Sequence, residues 1–251
     1  MSRRPMSRWF TSHRRTALVQ ADSRQIRPLH GTPQAPRPRR REPRLPSTVS
    51  DLFGAAEVAW LGVVPWGTPP PTKAPGVYVV ADSRERNGLA APPACCPISA
   101  AAIDELLTAR PELGVDGRRP SAAELAARIE AMWLPDETVR YVGLATSLYK
   151  RVGQYYRTPL GAKSPHAGGW ALKCLGDLTA MWVHYGVCEA AAVRGAEQRM
   201  QRAFMIQTSE RSRSGVIDSD LPLPHANLEY RADGRRWVKR HGITGATGPR
   251  R

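Results

Sequence analysis

Two stretches decide the fold: GVYVV at Gly76–Val80 and VRYVGLATSLYKRVGQYYR at Val139–Arg157. The first is β-branched and aromatic and follows a run of prolines, so it reads as a strand. In the second, Val139–Gly143 has the same character. From Ser147 onward the apolar positions Leu148, Val152 and Tyr155 recur at helical spacing, so a helix to Arg157 follows the strand. Met181–Val187 alternates well enough for a third strand, and Glu189–Ile206 has the period of an amphipathic helix with Val193, Met200 and Phe204 as its stripe.

Between the two tyrosine-bearing strands lies a helical insertion, 81–138. Ser99 caps a helix carrying Ile103, Leu106 and Leu107 and stopped at Pro111. Ser121-Ala-Ala-Glu124 is a capping box that opens a second helix with Leu125, Ile129, Met132 and Trp133 on one face. Asp233-Gly234 marks a hairpin near the C-terminal end. Upstream, 51–75 reads as a short helix within Ser50–Val64 and then a stiff connector, PWGTPPPTKAP, at Pro65–Pro75. The fold class that emerges is α+β: a small, mainly antiparallel sheet of three strands flanked by helices, occupying 76–251.

Charge is distributed unevenly. The chain carries 37 basic and 22 acidic side chains, a formal +15. Residues 1–50 hold twelve arginines against Asp22 and Glu42, a net +10, together with five prolines between Pro33 and Pro46. That segment has too little apolar surface to offset its ordering entropy and reads as a disordered arm. A polyanion-binding arm, an inert solvated tail and an Arg-rich transit peptide all fit its composition. No apolar run reaches the ~18 residues of a membrane span, and no apolar stretch follows the first arginines, so neither a membrane segment nor a secretory signal is expected. The four cysteines, Cys95, Cys96, Cys174 and Cys188, lack paired metal-ligand spacing and suit a reducing compartment.

Gly76-Val77-Tyr78 and Tyr141-Val142-Gly143 stand in the order of the two triplets of the GIY-YIG nuclease superfamily, which the chain resembles from Gly76 to about Tyr230. The resemblance extends to Arg151 in the helix after the second triplet, Glu197 in AVRGAEQRMQRAF and Asn227 in LPHANLEY. It implies a metal-dependent endonuclease that hydrolyses DNA phosphodiester bonds. Tyr78 would activate water, Tyr141 would support it, Arg151 would stabilise charge on the phosphate, and Glu197 would bind Mg²⁺ or Mn²⁺. Asn227 would position the scissile strand or the tyrosine, and His166, in the Gly-rich loop SPHAGGW, would contact phosphate or share in proton transfer.

Read without the family, each residue has a plainer meaning. Each tyrosine is a core aromatic, Arg151 a surface arginine, Asn227 a turn residue and His166 a loop histidine. Glu197 differs. It lies between Val193 and Met200 on the apolar stripe, so its carboxylate needs a cation or a hydrogen-bond partner, which Arg194, an arginine of a neighbouring strand or a metal ion would supply.

The chain also departs from the family pattern. Here 62 residues separate Tyr78 from Tyr141, where the family has a short hairpin, so the insertion must leave and re-enter at one sheet edge. Leu144 and Ala145 follow the second triplet, so Lys150, Lys163 or His166 must supply the basic charge, and Tyr155 stands where a histidine is common. The expected partner is DNA or RNA, with no membrane, and the expected location is cytoplasmic and nucleoid-associated when DNA-bound. Two other classes fit the same features: a non-catalytic nucleic-acid-binding protein on this scaffold, and a basic protein-interaction module.

Overall fold

Four strands, all paired antiparallel, form the central sheet in the order β1-β5-β2-β4. They are β1 (Trp60–Pro65), β2 (Gly76–Ala81), β4 (Val139–Ala145) and β5 (Trp182–Val187). The computed structural model describes residues 46–88, 95–162, 164 and 169–248. The expectations for the arm at 1–50 therefore fall almost wholly outside the described residues. None of the described helices is long and apolar enough to cross a membrane.

The sheet has one strand more than the three expected. The helix foreseen within Ser50–Val64 ends early: α1 spans Val49–Ala56, opened by a Thr48–Asp51 capping box and closed at Glu57 in the left-handed conformation, φ 56°. The chain then turns into β1, whose continuous apolar run WLGVVP carries no alternation that would mark it as a strand. Val49, Leu52, Phe53 and Ala56 are buried with Val77 and Val79 of β2, so the folded unit begins upstream of Gly76.

Every residue of β2 is buried because both faces of the central strand are covered. On one face Val77, Val79 and Val142 meet α1 and α6 (Val193–Gln207), which contributes Ala196, Met200 and Phe204. On the other, the insertion folds down as α2 (Ala100–Ala109) and α3 (Ala122–Glu130). Ile103, Leu106, Leu125, Ile129, Met132 and Trp133 share a core with Tyr78 and Tyr141. The capping predictions hold: Ser99 accepts from the Ala102 amide, and Ser121 and Glu124 form the reciprocal box. The insertion is not purely helical, since β3 (Gly114–Val115) pairs with β8 (Ile243–Thr244) and ties the insertion to the C-terminal segment.

One row of residues runs across the whole sheet: Gly62, Tyr185, Tyr78 and Gly143, each paired with the next. The glycines give the two rings room. A Cβ at Gly143 would stand 2.6 Å from Tyr78 Cζ and 2.7 Å from the Tyr141 ring, and one at Gly62 would stand 2.7 Å from the Tyr185 hydroxyl. Neither ring can yield, because both are packed in the core. Gly143→Ala is therefore expected to cost about 1–3 kcal/mol by overpacking, read as a lower melting temperature. A change within about 0.5 kcal/mol would show that the tyrosines are loosely held.

Candidate active-site cleft

At the β4 edge of the sheet a cleft of about 680 Å³ collects Tyr141, Arg151, Glu197 and Asn227, four residues drawn from four separate segments. The local structure explains each placement.

Tyr78 and Tyr141 lie on the neighbouring strands β2 and β4, with ring centroids 5.9 Å apart. They are not equivalent. Tyr78 is 0% exposed and stands behind the cleft wall, whereas Tyr141, at 8%, forms part of that wall. Burial raises both phenols. Tyr141 rises to about 12, with Glu197 adding to the shift and Arg151 and Tyr78 opposing it. Burial raises Tyr78 well above the ordinary phenol range too, with Tyr141 and Tyr155 adding to the effect. Of the two tyrosines, Tyr141 is the one that reaches the cleft.

Arg151 sits on α4 (Leu148–Arg157), whose buried residues Leu148, Val152 and Tyr155 fix the helix against the sheet. Its guanidinium is near enough to both tyrosines and to Glu197 to favour their charged forms.

Glu197 behaves as its position on the stripe requires. Val193, Met200 and Phe204 are buried around it, and the carboxylate is half-buried at the cleft wall. Burial lifts its pKa to about 7 against the pull of Arg194 and Arg151, with Glu229 adding to the rise. Among the described residues no cation lies within ion-pair distance of it, so the expected alternative of a simple ion pair with Arg194 is not formed.

Asn227 is a backbone clamp. Its amide nitrogen donates to the Val142 carbonyl and its oxygen accepts from the Val142 amide, both at 2.8 Å. The side chain thus closes the outer edge of β4 between Tyr141 and Gly143, and the Ala226 amide donates to the Arg140 carbonyl beside it. The clamp holds the backbone of the residue that follows Tyr141.

Several contributors escaped sequence reasoning. Lys239, buried, donates to the carbonyls of Leu223, Pro224 and His225 at 3.1–3.3 Å and pins the loop that carries Asn227. Burial pushes its ammonium down to about 7, with the Asp218 carboxylate opposing the shift. The only hint in the sequence was that this is one of five lysines in a chain that otherwise uses arginine. Arg140 is fully buried, paired with Asp82 through its Nε at 3.0 Å, and stacked 3.5 Å from the Trp133 ring centroid. The hairpin β6 (Glu229–Ala232) and β7 (Arg235–Val238) turns at Asp233-Gly234 as expected, and lends Arg231 and Arg236 to the cleft. His166 and Lys163 lie outside the described residues.

Among the described residues no cluster of three or more His, Cys, Asp or Glu could hold a metal ion. A single carboxylate suits Mg²⁺ nonetheless, because that ion keeps several waters and completes its octahedron with substrate phosphate. The half-buried, unpaired Glu197 fits such a site. Comparison of the chain with protein-family models, curated proteins and solved structures finds no match.

Proposed function

We propose that this cleft is the active site of a metal-dependent endonuclease of the GIY-YIG type, acting on DNA. The observation that carries the reading is the convergence of Tyr141, Arg151, Glu197 and Asn227 on one cleft, with Tyr78 in contact behind. Arg151, Arg194, Arg231 and Arg236 line the same cleft, and their guanidinium groups suit the bidentate recognition of phosphate.

In this reading Tyr141 orients the attacking water from the cleft wall. Tyr78 supports its oxygen by hydrogen bonding, and the Asn227 clamp and Gly143 hold the pair in register. Arg151 meets the charge that gathers on the non-bridging oxygens as water adds in line. Glu197 would hold one Mg²⁺ or Mn²⁺, and the chemistry such an ion supplies is charge beside the leaving 3′-oxygen and acidity in its bound water.

Plasmid nicking with Mg²⁺, Mn²⁺ and EDTA tests the proposal. Nicking should need the metal and should rise with pH through about 7 as Glu197 ionises, falling toward tenfold per unit below that range. A rate flat between pH 5.5 and 8 would remove Glu197 from the site. A second reading, a nucleic-acid-binding protein without turnover, is favoured by one observation: both tyrosines are held as phenols and Tyr78 has no access to solvent. Metal-independent DNA binding with no nicking under any condition would select it.

A further inference from the structure

The β6–β7 hairpin has two faces of different chemistry. Pairing places Glu229, Val238, Arg231 and Arg236 on one side, and these four residues line the cleft. There Glu229 accepts from Arg231 Nε at 3.0 Å and from Arg236 Nε at 2.5 Å, which holds both guanidinium groups in place. The opposite side carries Tyr230, Trp237 and Arg235, none of which lines the cleft. The Tyr230 and Trp237 rings stack obliquely, with centroids 5.5 Å apart and planes at 32°. Neither ring is packed into either hydrophobic core, and Trp237 remains 39% exposed.

A half-buried tyrosine stacked on an exposed tryptophan beside three arginines does nothing for the core, and the exposed ring is costly to leave in water. Its chemistry suits nucleobases: each base offers a π-face to stack upon, and arginine on the same strand neutralises the neighbouring phosphate. We infer that the outer face of this hairpin is a stacking platform for unpaired bases, and that the protein selects DNA in which a single-stranded segment adjoins the duplex held in the cleft. This rests on reading the cleft as a nucleic-acid site. The phosphate-facing side and the base-facing side then belong to one two-stranded ribbon four residues long, so both ends of such a junction are gripped by a single element.

Fluorescence anisotropy in EDTA, with a forked duplex bearing unpaired arms and a blunt duplex of equal length, tests this without relying on cleavage. The wild-type protein should favour the fork by about tenfold or more. Trp237→Ala should remove that preference, a loss of about 5- to 100-fold on the fork, while blunt-duplex affinity stays within about twofold. Trp237→Phe should keep most of it, and Arg236→Gln should weaken both substrates alike. Equal wild-type affinity for the two DNAs overturns the inference, as does an equal loss on both in Trp237→Ala. Sedimentation showing a dimer that Trp237→Ala dissolves would overturn it too, since the face would then belong to a second copy. A folded wild-type protein that binds neither DNA at low salt would sink the cleft reading, and this inference with it.

Discussion

Glu197→Gln is expected to lower metal-dependent cleavage by at least about 10³-fold while making the protein more stable at pH 8. The two effects share one cause. Folding moves this carboxyl out of water and lifts its pKa to about 7 from an ordinary value of 4.5. Below pH 4.5 the group is neutral in both states and imposes no cost. Between 4.5 and 7 the folded state binds more protons than the unfolded one, so stability falls as pH rises through that window. Above 7 the full cost stands, on the order of 2 kcal/mol after allowing for solvent at the cleft mouth. Glutamine keeps the volume between Val193 and Met200 and carries no charge to desolvate, so its melting temperature should exceed wild type at pH 8 and match it near pH 4.5. What it cannot do is hold a hard cation. A variant that still cuts, or one that melts lower than wild type at pH 8, would show that Glu197 is a structural partner.

Asp82→Ala should be the most damaging single change for stability. Arg140 is fully buried, and Asp82 is its only ion-pair partner among the described residues, meeting it through Nε and Nη2. Removing the carboxylate strands a guanidinium in the interior, at a cost of about 3–5 kcal/mol and a fall in melting temperature on the order of 10 °C. The damage should reach the cleft, because Arg140 immediately precedes Tyr141 and its carbonyl receives the Ala226 amide beside the Asn227 clamp. Pairing Asp82→Ala with Arg140→Met should restore most of the stability, since a buried ion pair replaced by apolar volume is often neutral. If the single variant melts within a degree or two of wild type, water must reach Arg140 and the pair contributes little.

The parts legible in the sequence were those written in local signals. The β-branched runs of β2, β4 and β5, the caps at Ser99 and Ser121, and the Asp233-Gly234 turn each announce themselves within a few residues. The stripe around Glu197 did the same through its helical period. What escaped depends on partners far along the chain. Nothing near Trp60 reveals that its strand pairs with β5, and the helix that was expected to continue stops at Glu57, a residue that seldom adopts a left-handed conformation. The order of the two tyrosines, one at the wall and one behind it, goes with β2 lying inside the sheet and β4 at its edge. No spacing rule encodes that, and the same holds for the Arg140–Asp82 pair and the Lys239 anchor.

The strand order also carries a timetable for synthesis. Among the described residues β1 has β5 as its sole strand neighbour, and Trp60 meets His184 across 124 residues of chain. At ~5–20 residues per second, the apolar edge WLGVVP waits on the order of ten seconds on the ribosome before its partner exists. During that interval β2 can zip only to β4, so the two tyrosines are brought together before the sheet is complete. Glu197 arrives later still, with α6. Until β5 emerges the nascent chain displays an unpaired hydrophobic strand, which places its greatest exposure to aggregation before the chemistry of the cleft is assembled.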